Sequence, residues 1–250
     1  MKIALISDIH EDLASLKKFL HAIEKQQVDK IYCLGDIAGY NSTYNDFENE
    51  RNASACLELL KKKASLILPG NHDLNAARII PSFTSGFQYP ENWFELSTEE
   101  QQKMAKDKIW IYGTDELGAN FTKEDIAFLA KLPEYDIQEI QKQKILFSHY
   151  FYPNINGSAR AFFTKTKELI PHFEWMHKND CNISFSGHGH TENTLIYQLG
   201  KTSHLPYNQE FKLDTMSAVL IPPLLRNNIC QGFCIFDSET FSLKAYKIYV

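Results

Sequence analysis

Lys2-Ile3-Ala4-Leu5-Ile6-Ser7-Asp8-Ile9-His10 follows Met1. An apolar run of the right length for one buried strand ends, and two residues able to ligate a metal follow at once. Residues 12 to 26 come next, with Leu13, Leu16, Leu20 and Ile23 at helical spacing and Asp12 placed as the N-cap. Ile31-Tyr32-Cys33-Leu34 is a second short strand, and Ala53, Cys56, Leu57 and Leu60 mark a second amphipathic helix. Ser65-Leu66-Ile67-Leu68 is a third strand. Strands alternating with helices predict βαβ units and a largely parallel sheet.

Residues 74 to about 133 read differently. Ser97-x-x-Glu100 and Thr122-x-x-Asp125 have the form of capping boxes, with Gly113, Gly118 and Pro133 as punctuation. This stretch is expected to be a mostly helical insertion in a single domain spanning residues 1 to 250. Ile145–Ser148 and Ile183–Ser186 read as strands, with a helix over 164 to 177 between them. Beyond residue 190 the pattern is strand after strand: Thr194 to Leu199, Met216 to Ile221, Gly232 to Phe236 and Ser242 to Tyr249. Asp237-Ser238-Glu239-Thr240 is placed as the turn of a terminal hairpin.

Composition narrows the function. The chain has 250 residues, 44% hydrophobic and 23% charged, enough for one domain with a substantial core. The net charge is -5 and no block of Lys and Arg occurs, which argues against a stable nucleic-acid partner. A small nucleotide substrate stays open. The first apolar run is too short for a signal peptide or a membrane span, so a cytoplasmic location without a membrane partner is expected. The five cysteines are scattered and odd in number, which fits reduced, buried thiols.

One pattern occurs five times: an apolar strand ends and a potential metal ligand follows. The ends are Asp8-Ile9-His10, Gly35-Asp36, Gly70-Asn71-His72-Asp73, His149, and Gly187-His188-Gly189-His190. In open α/β sheets, sites lie outside the carboxyl ends of the strands, so five such ends would share one crevice. Carboxylate, imidazole and amide oxygen suit manganese, iron, zinc or nickel better than calcium or copper(I). In an extended chain Asp8 and His10 would point to the same side and grip one ion, and His188 and His190 would do the same. Each piece alone is more often a cap or a surface residue. All five in order are specific. His204, in a later loop, is left out of the set.

With these residues the sequence resembles the calcineurin-like metallophosphoesterases, whose pattern runs Asp-x-His, Gly-Asp, Gly-Asn-His-Asp, a lone His, then Gly-His-x-His. The resemblance spans positions 8 to 190 and is nearest to the small single-domain bacterial and archaeal phosphodiesterases. It implies a four-layer α/β/β/α sandwich of two mixed sheets flanked by helices. Asp8, His10 and His190 would hold one metal; Asn71, His149 and His188 would hold a second; Asp36 would bridge both. His72 would face the substrate as the catalytic acid. Manganese is favoured among the candidate metals. A hydroxide bridging two such ions would attack phosphorus in line, and His72 would protonate the leaving oxygen. The implied activity is hydrolysis of a small phosphomonoester or phosphodiester. A catalytically silent scaffold or metal-binding protein is the alternative; the intact ligand set favours the enzyme over the scaffold, and an activity assay separates it from a metal-binding protein.

The sequence departs from the family at three places. Gly39 stands where protein phosphatases of the family carry the acid that orients the catalytic His, and their phosphate-gripping Arg is also missing. That argues against a protein phosphatase and leaves His72 without an evident orienting group; Asp73 is a candidate, or a helix cap. Gly189 replaces the usual Thr between the last two histidines. Leu220 to Arg226 replaces an Asn-Pro-Gly-Ser loop. Arg78, Tyr40 and Tyr150 are weaker candidates for substrate contact.

Overall fold

Along β1 (Lys2–Ile6), Ile3 and Leu5 face one way and Ala4 and Ile6 the other, and all four are fully buried. That double burial needs a layer on each side of the strand, and the computed structural model supplies both. It describes residues 1–113, 115–163, 165–226 and 230–248.

The first third follows the predicted alternation. β1 leads into α1 (Leu13–Glu24), β2 (Lys30–Cys33), α2 (Ala53–Lys63), β3 (Leu66–Ile67) and the short α3 (Asn71–Ala76). Asp12 caps α1 by accepting the Ser15 N–H, and β1, β2 and β3 pair in parallel. Next come α4 (Thr98–Ala105), α5 (Lys123–Leu129), β4 (Tyr135–Ile140), β5 (Gln143–Ser148), α6 (Ile170–Lys178) and β6 (Cys181–Ser186). The remaining strands are β7 (Thr194–Gln198), β8 (Lys201–Leu205), β9 (Glu210–Lys212), β10 (Ser217–Leu220), β11 (Gly232–Asp237) and β12 (Ser242–Lys247).

Two mixed six-stranded sheets result, ordered β3-β2-β1-β11-β12-β9 and β4-β5-β6-β10-β7-β8. Three apolar layers hold them. Ile3, Leu5, Tyr32, Phe147, Phe185 and Phe236 fill the space between the sheets. Ala4, Ile6, Leu16, Phe19, Leu57 and Leu60 pack α1 and α2 on the outside of the first sheet. Leu146, Phe173, Met176 and Ala218 pack α6 on the outside of the second. Helix, sheet, sheet and helix therefore stack in four layers, as the family resemblance implies. No helix among the described residues is long and apolar enough to cross a membrane.

Both expected capping boxes form, at Ser97 and at Thr122. Among the described residues between 77 and 133, however, the helical ones are α4, α5 and one 3-10 turn at Trp93–Glu95, and the others are turn and loop with isolated bridges at Ile109 and Glu116. The stretch thus holds less helix than its capping boxes suggest. Phe87, Trp93, Ala105 and Ile109 form a small apolar core there, while Leu129 of α5 joins the main helix layer. Three strands were not anticipated: β4, β8 and β9. All three are sheet edges. An edge strand has a neighbour on one side only, so polar residues are tolerated and the apolar signal fades. The last predicted strand stops at Lys247, and Tyr249 lies outside the described residues, as does Thr164 at the head of the helix expected over 164 to 177.

Candidate metal centre

The loops that leave β1, β2, β3, β5 and β6 meet at one end of the sandwich. Backbone bonds lock them together. Asp8 N donates to Gly35 O at 2.9 Å, Ile9 N and His10 N donate to Asp36 O at 2.7 and 3.0 Å, and Gly187 N donates to His149 O at 2.9 Å. From the far end of the chain, Leu225 N donates to Asp8 O at 3.0 Å. This is what the Leu220 to Arg226 loop does: it closes over the back of the first ligand loop. Arg226 then clamps Asp12 through Nε and Nη2.

Asp8, His10, Asp36, His188 and His190 all have left-handed backbones, with φ of 56, 47, 54, 68 and 44°. Such conformations cost on the order of 1–3 kcal/mol each and persist where the surroundings over-determine them. They also correct the expected geometry. Asp8 and His10 converge through left-handed turns, not by alternation along an extended chain. His188 and His190 do not share a side: His190 groups with Asp8 and His10, whereas His188 groups with Asp36 and His149.

The distances define two neighbouring clusters. His190 Nε2 lies 3.3 Å from Asp8 Oδ1 and 3.0 Å from His10 Nε2. His149 Nε2 lies 3.1 Å from Asp36 Oδ2, and His10 Nε2 lies 3.9 Å from the same oxygen. Asp36 therefore stands between the clusters. His10 Nδ1 is paired with Gly39 O at 2.9 Å and His149 Nδ1 with Leu34 O at 2.7 Å. In both rings the carbonyl takes the Nδ1 proton and leaves Nε2 aimed into the site, the arrangement that orients metal-binding imidazoles.

Charge is poised in the same sense. Burial, with the neighbouring His190 charge, presses His10 down to about 3, and burial with the His149 charge does the same to His188. Both are neutral lone-pair donors at pH 7. Burial alone would raise Asp8, yet the His190 bond and charge hold its carboxyl well below the usual range. Burial opposes a charge on His149, but Asp36 carries it up to about 9. A cation between them would take over the work of that proton.

These residues fit a divalent metal by a direct observation. Asn71 Oδ1 and His188 Nε2 are buried and have no hydrogen-bond partner. A buried acceptor without a partner costs about 1–3 kcal/mol. Asn71 Nδ2 donates to Tyr112 Oη at 2.9 Å, which fixes the amide so that Oδ1 is the free atom. Gly157 makes the close approach possible: with φ +80°, a Cβ there would lie 2.6 Å from both Asn71 Oδ1 and His188 Nδ1.

His72 and Asp73 part company. Asp73 accepts the N–H groups of Gly70, Ile37 and Ala38 at 3.0, 2.9 and 2.8 Å, so it latches the β3 loop to the β2 loop. It does not orient His72. Instead His72 Nδ1 sits 2.9 Å from Glu116 Oε2, with Tyr112 edge-on at 5.0 Å between ring centroids. Burial opposes a charge on His72, but Asp36 and Glu116 carry it up to about 9. Glu116 and Tyr112 were not singled out in the sequence, because no motif marks them.

An open cleft of about 480 Å³ lies over the site. His10, Asp36, Asn71, His72, His188 and His190 line its floor, and Tyr44, Trp110, Tyr112, Phe162, Asp115 and Glu116 rise around it. Asp8 and His149 sit beneath. The weaker candidates are elsewhere. Arg78 stacks on Phe94, while Tyr40 and Tyr150 are buried, the latter with its ring 4.6 Å from that of His188.

Comparison with known proteins gives the same fold and family. The chain is 26% identical to an uncharacterized protein of Methanocaldococcus jannaschii, over 98% of this chain and 86% of that protein. It is similar in structure to a metallophosphoesterase from Sphaerobacter thermophilus, with a TM-score of 0.67 and 18% identity, covering 100% of this chain and 88% of the other. A hypothetical protein from Pyrococcus horikoshii follows, with a TM-score of 0.59 and 14% identity over 99% and 87% of the two chains. Residues 1–216 match the calcineurin-like phosphoesterase family, and with its two sheets and its His/Asp clusters able to hold metal, this chain belongs to that family.

Proposed function

We propose that the protein is a dinuclear-metal phosphoesterase that hydrolyses a small phosphomonoester or phosphodiester. Asp8, His10 and His190 would hold one divalent cation, Asn71, His149 and His188 would hold the other, and Asp36, which stands between the two groups, would serve both. The observation that carries this reading is the pair of buried atoms without partners, Asn71 Oδ1 and His188 Nε2, beside the close contact of His149 Nε2 with Asp36 Oδ2. The donor set suits manganese, iron, zinc or nickel, with manganese the first choice. Two such cations supply an ionised water at neutral pH and offset the charge that builds on the phosphoryl oxygens.

The chain's own residues do the rest. Leu34 O and Gly39 O hold two imidazoles in the ligating tautomer. His72, on the cleft floor, donates the proton to the leaving oxygen. No Lys or Arg is among the described residues that line the cleft, and none of the undescribed residues is one. That favours a small ester over a nucleic-acid strand. Five buried cysteines outside any disulfide fit a reducing compartment, and the cytoplasm is the location proposed.

Purified protein loaded with Mn²⁺ is expected to cleave chromogenic phosphate mono- or diesters, and chelation to abolish the rate. No hydrolysis with manganese, iron, nickel or zinc would leave the inactive scaffold as the better reading.

A further inference from the structure

We infer that Glu116 is the positioning residue for His72, acting from across the cleft in place of the acid that position 39 lacks. The inference rests on the reading of the chain as a phosphoesterase with His72 as proton donor. It begins at Gly39. A Cβ there would fall well inside van der Waals contact with the Cβ, Cγ and Nδ1 of His72, and its φ is +100°. No acidic side chain at position 39 could stand beside this ring, because the ring occupies the space.

Glu116 reaches the ring from a different segment. Its Oε2 lies 2.9 Å from His72 Nδ1, and the two side chains are 11% and 22% exposed. The approach is oblique to the ring N–H, a close charge contact not yet aligned as a hydrogen bond. Catalytic contacts of this kind tighten when substrate binds. Asp73 is not available for the task, since its carboxylate is taken by three backbone N–H groups.

The segment that carries Glu116 is tied to the loop that carries Gly39. Leu117 N donates to Tyr40 O at 3.0 Å, Ser42 N to Asp115 O at 2.8 Å, and Asn41 Nδ2 to Asp115 Oδ2 at 2.8 Å. Asn41 and Glu116 also form an isolated antiparallel bridge. The distance from ring to carboxylate is thus set by backbone bonds and not by one flexible side chain. His10 and Tyr112 brace the ring edge-on, with centroids at 4.9 and 5.0 Å. Glu116 then selects the ring orientation and the Nδ1 proton, and leaves the other ring nitrogen to serve the leaving group.

The test uses the full chain loaded with Mn²⁺, as wild type, Glu116→Gln, His72→Ala and the double variant. Metal content and melting temperature are measured on each. Rates are measured on two esters with the same phosphoryl group, one with a nitrophenyl and one with an alkyl leaving group. Glu116→Gln should keep its metal and its KM, and lose kcat on the alkyl ester by roughly 10- to 100-fold. The nitrophenyl rate should fall much less, because that leaving group needs no proton. The double variant should be no slower than His72→Ala, since groups acting as one unit are not additive. Losses that multiply, equal losses on both esters, or loss of metal in Glu116→Gln would each overturn the role of Glu116. A metal-loaded wild type inert toward both esters would instead overturn the phosphoesterase reading, and this inference with it.

Discussion

His10 Nε2 and His190 Nε2 stand 3.0 Å apart on the floor of the cleft, although 180 positions separate them in the chain. Two imidazole lone pairs do not approach so closely unless a proton or a cation lies between them. Metal should therefore stabilise the fold as well as activate it. At about a hundred times its Kd, Mn²⁺ should add roughly 2.7 kcal/mol for each site filled, or about 5–10 °C in Tm per site. His190→Ala and His188→Ala should each shrink that gain in a thermal scan with and without chelator. An equal gain in both variants would show that metal binds elsewhere.

Gly157 and Gly200 form a matched pair. Their φ values are +80° and +79°, but nothing lies within 4 Å of a Cβ at Gly200. Both Ala variants should lose about 1 kcal/mol from backbone strain. Only Gly157→Ala should also lose metal, as read by elemental analysis after dialysis, because its methyl group displaces Asn71 and His188.

Asp73→Asn replaces one acceptor oxygen by an amide donor facing backbone N–H groups. A loss of about 1–3 kcal/mol in denaturant unfolding is expected, with weaker metal binding through the displaced Asp36 loop. Unchanged stability would show that the latch from Asp73 to Ile37 and Ala38 is not needed.

Asp125 sets an acid limit. Burial works to raise its pKa, but Lys61, Ser54 and Thr122 outweigh that and hold it at about 2, below its ordinary 3.8. A depressed carboxylate contributes stability above its unfolded pKa and loses it as pH falls through the folded one. The contribution, roughly 2 kcal/mol, should be complete above about pH 5 and gone only near pH 1. Asp125→Asn should cost about that amount at pH 7 and almost nothing near pH 1.

His72→Ala should retain the metals and lose about 10²-fold or more in rate. Loss of metal instead would make His72 a ligand.

Much of this was legible in the sequence for one physical reason. Buried parallel strands must be apolar on both faces, so Lys2–Ile6 and Gln143–Ser148 announce their own ends, and a functional residue, Asp8 or His149, stands within two positions of each end. The fine geometry was not legible. Nothing in Asp8-Ile9-His10 shows that both polar residues take left-handed backbones, because that depends on bonds to the loop after β2. Glu116 was hidden for a similar reason. It meets His72 through loop pairing with Asn41, and such pairing leaves no spacing to read. The edge strands β8 and β9 were missed because half-exposed pairing imposes no apolar pattern.

The central claim is a pair of metals that turns over a phosphate ester. The most direct measurement is titration of Mn²⁺ into the metal-free chain, with bound metal and ester hydrolysis followed together. The account predicts two equivalents bound per chain and full turnover only as the second site fills. Full turnover at one equivalent, or two bound equivalents with no hydrolysis of any phosphate ester, would contradict it.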